Sequence, residues 1–322
     1  MPCCLCPLGL LTLDFSYHTK KLPPVQASRL RARGRPLPPD PPLCYNPTVR
    51  ELQGTSILFR RWDPAASPGS PKAVFLLVHG LGAHSARWDF LAGHLGGRGY
   101  ASYAIELRGF GRTPERPRGH VRSFRVWERD ILELRDIIGR GHPGKKVFLL
   151  GESMGGLIAF DLACRHADRF SGQVLIAPAF KNGMKFPLSV YVKLALVLPF
   201  NPKLAVDVPF TSEMVTRDPG YLKVMGASPD EIRTASLRLL AGFLPVQSRS
   251  GKLARTLAVP TLFLIPGVDD LVDERAGRKI FQRIGCPDKT LIEYPEMLHA
   301  LSIDLGREKV FEDILAWVAP RI

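Results

Sequence analysis

The chain has 322 residues, 45% of them hydrophobic and 23% charged, which excludes an intrinsically disordered protein and leaves room for one large α/β domain or two small ones. Its 44 Lys and Arg against 30 Asp and Glu give a net charge of +14, a bias toward anionic surfaces that does not by itself name a function. The excess gathers at Lys20, Lys21, Arg29, Arg31, Arg33 and Arg35 and again between residues 108 and 129; without zinc spacing or another nucleic-acid signature it reads as a solvated basic surface, and no nucleic-acid partner is expected.

Cys3, Cys4 and Cys6 crowd the start, while Cys44, Cys164 and Cys286 are scattered. Neither a disulfide framework nor a metal-ligand pattern results, so a reducing, cytoplasmic compartment is the expectation. The first 15 residues are apolar but lack a positive leading segment and a small-residue cleavage site, and are too short to span a bilayer. Residues 1–45 carry Pro23, Pro24, Pro36, Pro38, Pro39, Pro41 and Pro42 among basic residues. Such a composition buries too little apolar surface to offset chain entropy and is expected to be a flexible extension. The sharper reading is a peripheral membrane anchor, because an acylated cysteine beside a polybasic stretch supplies the two signals that stable anchoring requires.

From about residue 54 the pattern changes to short aliphatic runs separated by helical stretches, as buried parallel strands read in an α/β sheet. Strands are expected at 73–78, 101–105, 147–150, 173–176, 261–265 and 290–294, with helices at 127–138 and 157–165. Residues 307–318 place Val310, Phe311, Ile314, Leu315 and Val318 on one helical face before Pro320. Strand-helix alternation predicts a mostly parallel central sheet flanked by helices. The core is expected over 46–180 and 251–322. Between them, 181–250 shows no strand-like run and is broken by Pro199, Pro202, Pro209, Pro219 and Pro229; it reads as a helical cap inserted before the next strand.

The chemistry centres on the run Val147-Phe148-Leu149-Leu150, which leads directly into Gly151-Glu152-Ser153-Met154-Gly155-Gly156. A serine hydroxyl needs a base to take its proton and must stand clear of the sheet to reach a carbonyl carbon. Glycines two residues before and after it permit the tight strand-to-helix turn that achieves this. An oxyanion hole then requires the amide of the residue after the serine, Met154, and one from the loop after an earlier strand. The segment His79-Gly80-Leu81-Gly82 supplies such a loop, with Leu81 as donor. His79 lies upstream of the serine, directly after a strand, and is expected to shape the loop rather than act as the base. Downstream, 261–265 leads into a loop holding Asp269, Asp270 and Asp273, any of which can orient an imidazole. The strand at 290–294 then leads to His299, the candidate base. No metal or organic cofactor is required.

Over about residues 54–320 the chain resembles the monoacylglycerol lipase and lysophospholipase-like branch of the α/β-hydrolases, also classed with the serine aminopeptidase S33 group. The family's HG-x-G loop falls on His79 to Gly82, and Ala83-His84-Ser85-Ala86-Arg87-Trp88 looks like its HS-x-R-(Y/W) continuation. Its D-x-RGHG-x-S motif appears altered as Glu106-Leu107-Arg108-Gly109-Phe110-Gly111-Arg112-Thr113. The resemblance implies the α/β-hydrolase fold and Ser153 as nucleophile. Alignment from Pro260 and back from Val272-Asp273 puts the family's acid on Asp269. Asp270 stands where the family often has arginine, and Glu296-Met297-Leu298 stand where small residues are usual. The implied activity is serine ester hydrolysis of acyl esters such as monoacylglycerols or lysophospholipids. Amide hydrolysis and acyl transfer share the same acyl-enzyme, and a ligand-binding or scaffold module is the alternative from another class. The intact Ser, Asp and His set argues against that last reading. Nothing in the sequence fixes the oligomeric state.

Overall fold

The computed structural model describes residues 49–51, 57–64 and 70–322. The extension and anchor expected over residues 1–45 lie outside the described residues. In chain order the structure holds β1 (Val49–Glu51), β2 (Leu58–Trp62), β3 (Val74–Val78), α1 (Asp89–Gly97), β4 (Ala101–Glu106), α2 (Phe124–Gly141), β5 (Val147–Glu152), α3 (Met154–Arg165) and β6 (Gly172–Ile176). An insertion follows with α4 (Leu188–Leu196), β7 (Ala205–Asp207), α5 (Pro219–Ala227), β8 (Thr234–Ser236) and α6 (Leu237–Leu253). The chain then closes with β9 (Thr261–Pro266), α7 (Glu274–Arg283), β10 (Lys289–Tyr294) and α8 (Arg307–Val318).

Among the described residues the main sheet has eight strands in the order β1-β2-β4-β3-β5-β6-β9-β10. β2 pairs antiparallel with both β1 and β4; the pairs from β4 to β10 are parallel. β3 to β6 and β9 are buried along their whole length. Their continuous apolar runs, rather than an alternating pattern, follow from helices covering both faces of a parallel sheet. α1 packs against α8, and α3 packs against α2 and the centre of the sheet. All five apolar residues expected on the inner face of 307–318 are buried in α8.

The strand order places the site. The chain runs from β3 outward to β4, then returns to β5 on the other side of β3, so the connections leaving the C-terminal ends of β3 and β5 diverge. Between them opens the crevice in which open α/β sheets hold their ligands.

Two features differ from expectation. β2 reads Leu58-Phe59-Arg60-Arg61-Trp62, and its paired arginines hide an apolar strand signal. Arg60 is nevertheless buried, because its Nε donates to Ser85 Oγ at 3.0 Å. The insertion is also not wholly helical: β7 and β8 pair antiparallel, Ala205 opposite Ser236. Three-residue strands are too short for periodicity to reveal. Pro219 opens α5 as its first residue, with the Asp218 carboxylate accepting from the amides of Gly220 and Tyr221. No described helix is long and apolar enough to cross a membrane.

Candidate active site

Ser153 stands between β5 and α3 with φ 58° and ψ −118°, a left-handed conformation that a side chain rarely adopts without compensation. Three backbone hydrogen bonds hold it there. Its amide donates to the Ile176 carbonyl at 2.9 Å, and its carbonyl accepts from Leu157 at 3.1 Å and Ala179 at 3.0 Å. The flanking glycines are required by space: a Cβ on Gly151 would overlap the Gly155 carbonyl, and one on Gly155 would overlap the Val78 carbonyl. The turn thus lifts the hydroxyl into the crevice, with α3 starting directly behind it.

The two downstream loops converge. His299 Nδ1 lies 2.8 Å from Asp269 Oδ2, with the two side chains 4% and 1% exposed. The other Asp269 oxygen accepts from the amides of Leu271 at 2.8 Å and Val272 at 3.1 Å. Burial works against the Asp269 charge, but the imidazole beside it and these amides hold its carboxyl below the usual range. A carboxylate at Nδ1 fixes the proton on that nitrogen and leaves Nε2 as the acceptor. Nε2 is buried and has no hydrogen-bond partner among the described residues. The neighbouring aspartates have other roles: Asp270 is exposed, while Asp273 caps α7 and pairs with Lys181.

On the opposite wall, Met154 is the first residue of α3, so its amide has no intrahelical acceptor. Leu81 follows Gly80, whose Cα approaches the serine so closely that a Cβ there would lie 3.1 Å from Ser153 Cβ. His79 Nε2 accepts from the Leu107 amide at 3.1 Å, which leaves the proton on Nδ1, 2.9 Å from the Gly80 carbonyl. Burial pushes its pKa down to about 4. His79 therefore braces the loop as a neutral ring.

Ser153, His299, Leu81 and Met154 line one cavity of about 400 Å³. The insertion supplies its apolar wall, including Phe186, Val190, Leu194, Phe210, Leu240 and Phe243. Among the described residues no group of His, Cys, Asp and Glu is arranged to hold a metal ion.

Three charged residues with little-exposed side chains stand at this site without a role assigned from the sequence. Arg87 forms a bidentate pair with Glu231 of the insertion, its Nη2 lying 2.7 and 2.8 Å from the two carboxylate oxygens. Glu152, just before the serine, is 3% exposed. Nothing in the sequence links Arg87 to Glu231, 144 positions away. Glu152 did carry a signal, a carboxylate closing an otherwise apolar strand.

Comparison with known proteins points the same way. The family model for serine aminopeptidase, S33 matches residues 69–306. The human monoglyceride lipase is 32% identical over 283 residues, covering 85% of this chain and 90% of that protein. A monoacylglycerol lipase of Mycolicibacterium smegmatis is 28% identical, covering 84% of this chain and 95% of that protein. Among solved structures, the Paleococcus ferrophilus monoacylglycerol lipase superposes with a TM-score of 0.73 at 26% identity, covering 82% of this chain and 99% of that one.

Proposed function

The chain belongs to the serine aminopeptidase S33 family and is a serine ester hydrolase of the α/β-hydrolase fold; from that premise we propose that Ser153, His299 and Asp269 form its catalytic triad and that its substrates are acyl esters with an apolar chain. The observation that carries this reading is the His299 to Asp269 hydrogen bond, which leaves an unbonded Nε2 in the same cavity as a strained, amide-flanked serine. In the reaction His299 Nε2 takes the Ser153 proton as Oγ attacks the ester carbonyl. The amides of Leu81 and Met154 receive the oxyanion, and Asp269 stabilises the imidazolium. Nε2 then returns the proton to the departing alkoxide. Water, deprotonated by the same nitrogen, releases the acyl group.

The names of the relatives support monoacylglycerols as the substrate class, with lysophospholipids as the related alternative. The apolar wall supports an acyl chain rather than a peptide at this site. Each methylene buried there contributes about 0.8 kcal/mol, roughly fourfold in rate. Turnover of p-nitrophenyl esters is therefore expected to rise by about fourfold in kcat/KM per added methylene until the cavity is full. Ser153→Ala is expected to lose at least about 10⁴-fold in kcat. A flat chain-length profile, or turnover retained in that variant, would contradict the reading.

The pH dependence has a definite sign. Burial lowers the His299 pKa, but the Asp269 charge and hydrogen bond and the Glu152 charge outweigh it, and the net displacement is upward from 6.5. Because the base acts when neutral, kcat/KM is expected to rise with pH through a midpoint above 6.5.

A further inference from the structure

We propose that Glu152 is a positioning residue for this hydrolysis: from the end of β5 it clasps the loop that carries His299 and sets a second negative charge beside the imidazole. The inference rests on the triad reading above and assigns a task to a residue which that mechanism does not use.

Glu152 Oε1 accepts from the Ser302 amide at 3.3 Å, and Oε2 lies 3.1 Å from Ser302 Oγ. Ser302 is fully buried and stands three residues after His299. The residue before the nucleophile is thereby tied to the loop bearing the base, so the turn at Ser153 and the imidazole share one anchor. No other side-chain hydrogen bond of Glu152 is found among the described residues.

Burying a carboxylate at a strand end is unfavourable unless charge or hydrogen bonds answer it, and filling space needs only an apolar or amide side chain of similar size. The groups whose charges bear on Glu152 are His299, Arg87 from the loop after β3, and the Tyr221 hydroxyl from α5. Tyr221 stays neutral, since burial raises its pKa. Arg87 is engaged by both oxygens of Glu231. His299 becomes a second cation bearing on Glu152 once Nε2 has taken the serine proton, while Asp269 holds the opposite nitrogen. Burial raises the Glu152 carboxyl above its ordinary value, and His299, Arg87 and the Ser302 groups offset that rise only in part. When ionised, it favours the imidazolium that forms as the Ser153 O–H bond breaks.

Charge and clasp separate experimentally in two variants of the full chain, assayed for pH-dependent p-nitrophenyl ester turnover beside thermal unfolding. E152Q keeps the shape and removes the charge. It is expected to lose about tenfold in kcat/KM, with the acid-limb midpoint falling by roughly half to one pH unit as the imidazolium loses a neighbouring anion. S302A keeps the charge and removes one clasp bond; it is expected to lose several-fold in kcat, with KM and the acid limb unmoved. An E152Q enzyme with the wild-type midpoint and kcat/KM within about twofold would overturn the proposal. Should E152Q fail to fold, S302A with wild-type kcat would overturn it. A wild-type chain that neither turns over esters nor labels with a fluorophosphonate would sink the triad reading and this inference with it, whereas an active wild type with indifferent variants would sink the inference alone.

Discussion

Residues 228–236 and α4 belong to the same insertion, yet they are tied to the sheet by unlike forces. The first stretch is stapled by polar contacts. The Ile232 amide donates to the Gly82 carbonyl at 3.0 Å, the Ser236 amide to the Gly119 carbonyl at 2.8 Å, and Arg118 reaches the carbonyls of Pro229 and Asp230 at 2.7 and 2.8 Å. Glu231 adds the buried pair with Arg87. α4 makes no side-chain hydrogen bond or ion pair among the described residues. It rests on an apolar seam where Val190 and Leu194 meet Leu237 and Leu240, and it leaves Leu188 and Leu196 at 77% and 67% exposure, with Phe200 just beyond it at 88%. Directional bonds fix the strand that borders Gly82 and the oxyanion loop. Non-directional packing holds the wall that an acyl chain would touch. The part of the insertion next to the candidate site is thus expected to be the more rigid, and the part lining the apolar wall the more able to shift.

The largest effect expected from breaking this division comes at Arg87. Arg87→Ala leaves Glu231 buried without its partner, which costs about 3–5 kcal/mol, visible as a lower urea midpoint. Adding Glu231→Ala should recover part of that loss. A single-variant cost below about 1 kcal/mol would mean that the staple is not a buried pair in solution. Amide hydrogen exchange gives the next contrast: Ile232 and Ser236 are expected to exchange at least about tenfold more slowly than the middle of α4, and equal protection would erase the distinction. Smallest of all is Phe200→Ser, expected to change stability by less than about 0.5 kcal/mol and to leave turnover of short esters unaltered. A larger loss would show that the turn after α4 is held by more than the apolar seam.

The legible parts of this molecule are those that depend on neighbours in sequence. An apolar run ending in Gly-Glu-Ser-Met-Gly-Gly announces the turn at Ser153 because the turn's constraints are local. Asp269 and His299 were legible because each follows a strand in the expected order, and choosing among Asp269, Asp270 and Asp273 needed the fold's alignment rather than chemistry. β2 was missed because Arg60 is buried through Ser85, a partner 25 positions on. β7 and β8 were missed because strands of three residues leave no period. Glu152, Arg87 and Glu231 are bonded to partners 150 and 144 positions away, and no pattern in one sequence encodes that convergence.

The central claim is that the serine at the end of β5 is the nucleophile. Its most direct test is peptide mass spectrometry of the chain after reaction with a fluorophosphonate, which phosphonylates activated serines. A single adduct on Ser153, absent from the Ser153→Ala and strongly slowed in the His299→Ala variants, is the predicted result; no adduct on folded wild-type protein, or an adduct on another serine, would contradict it.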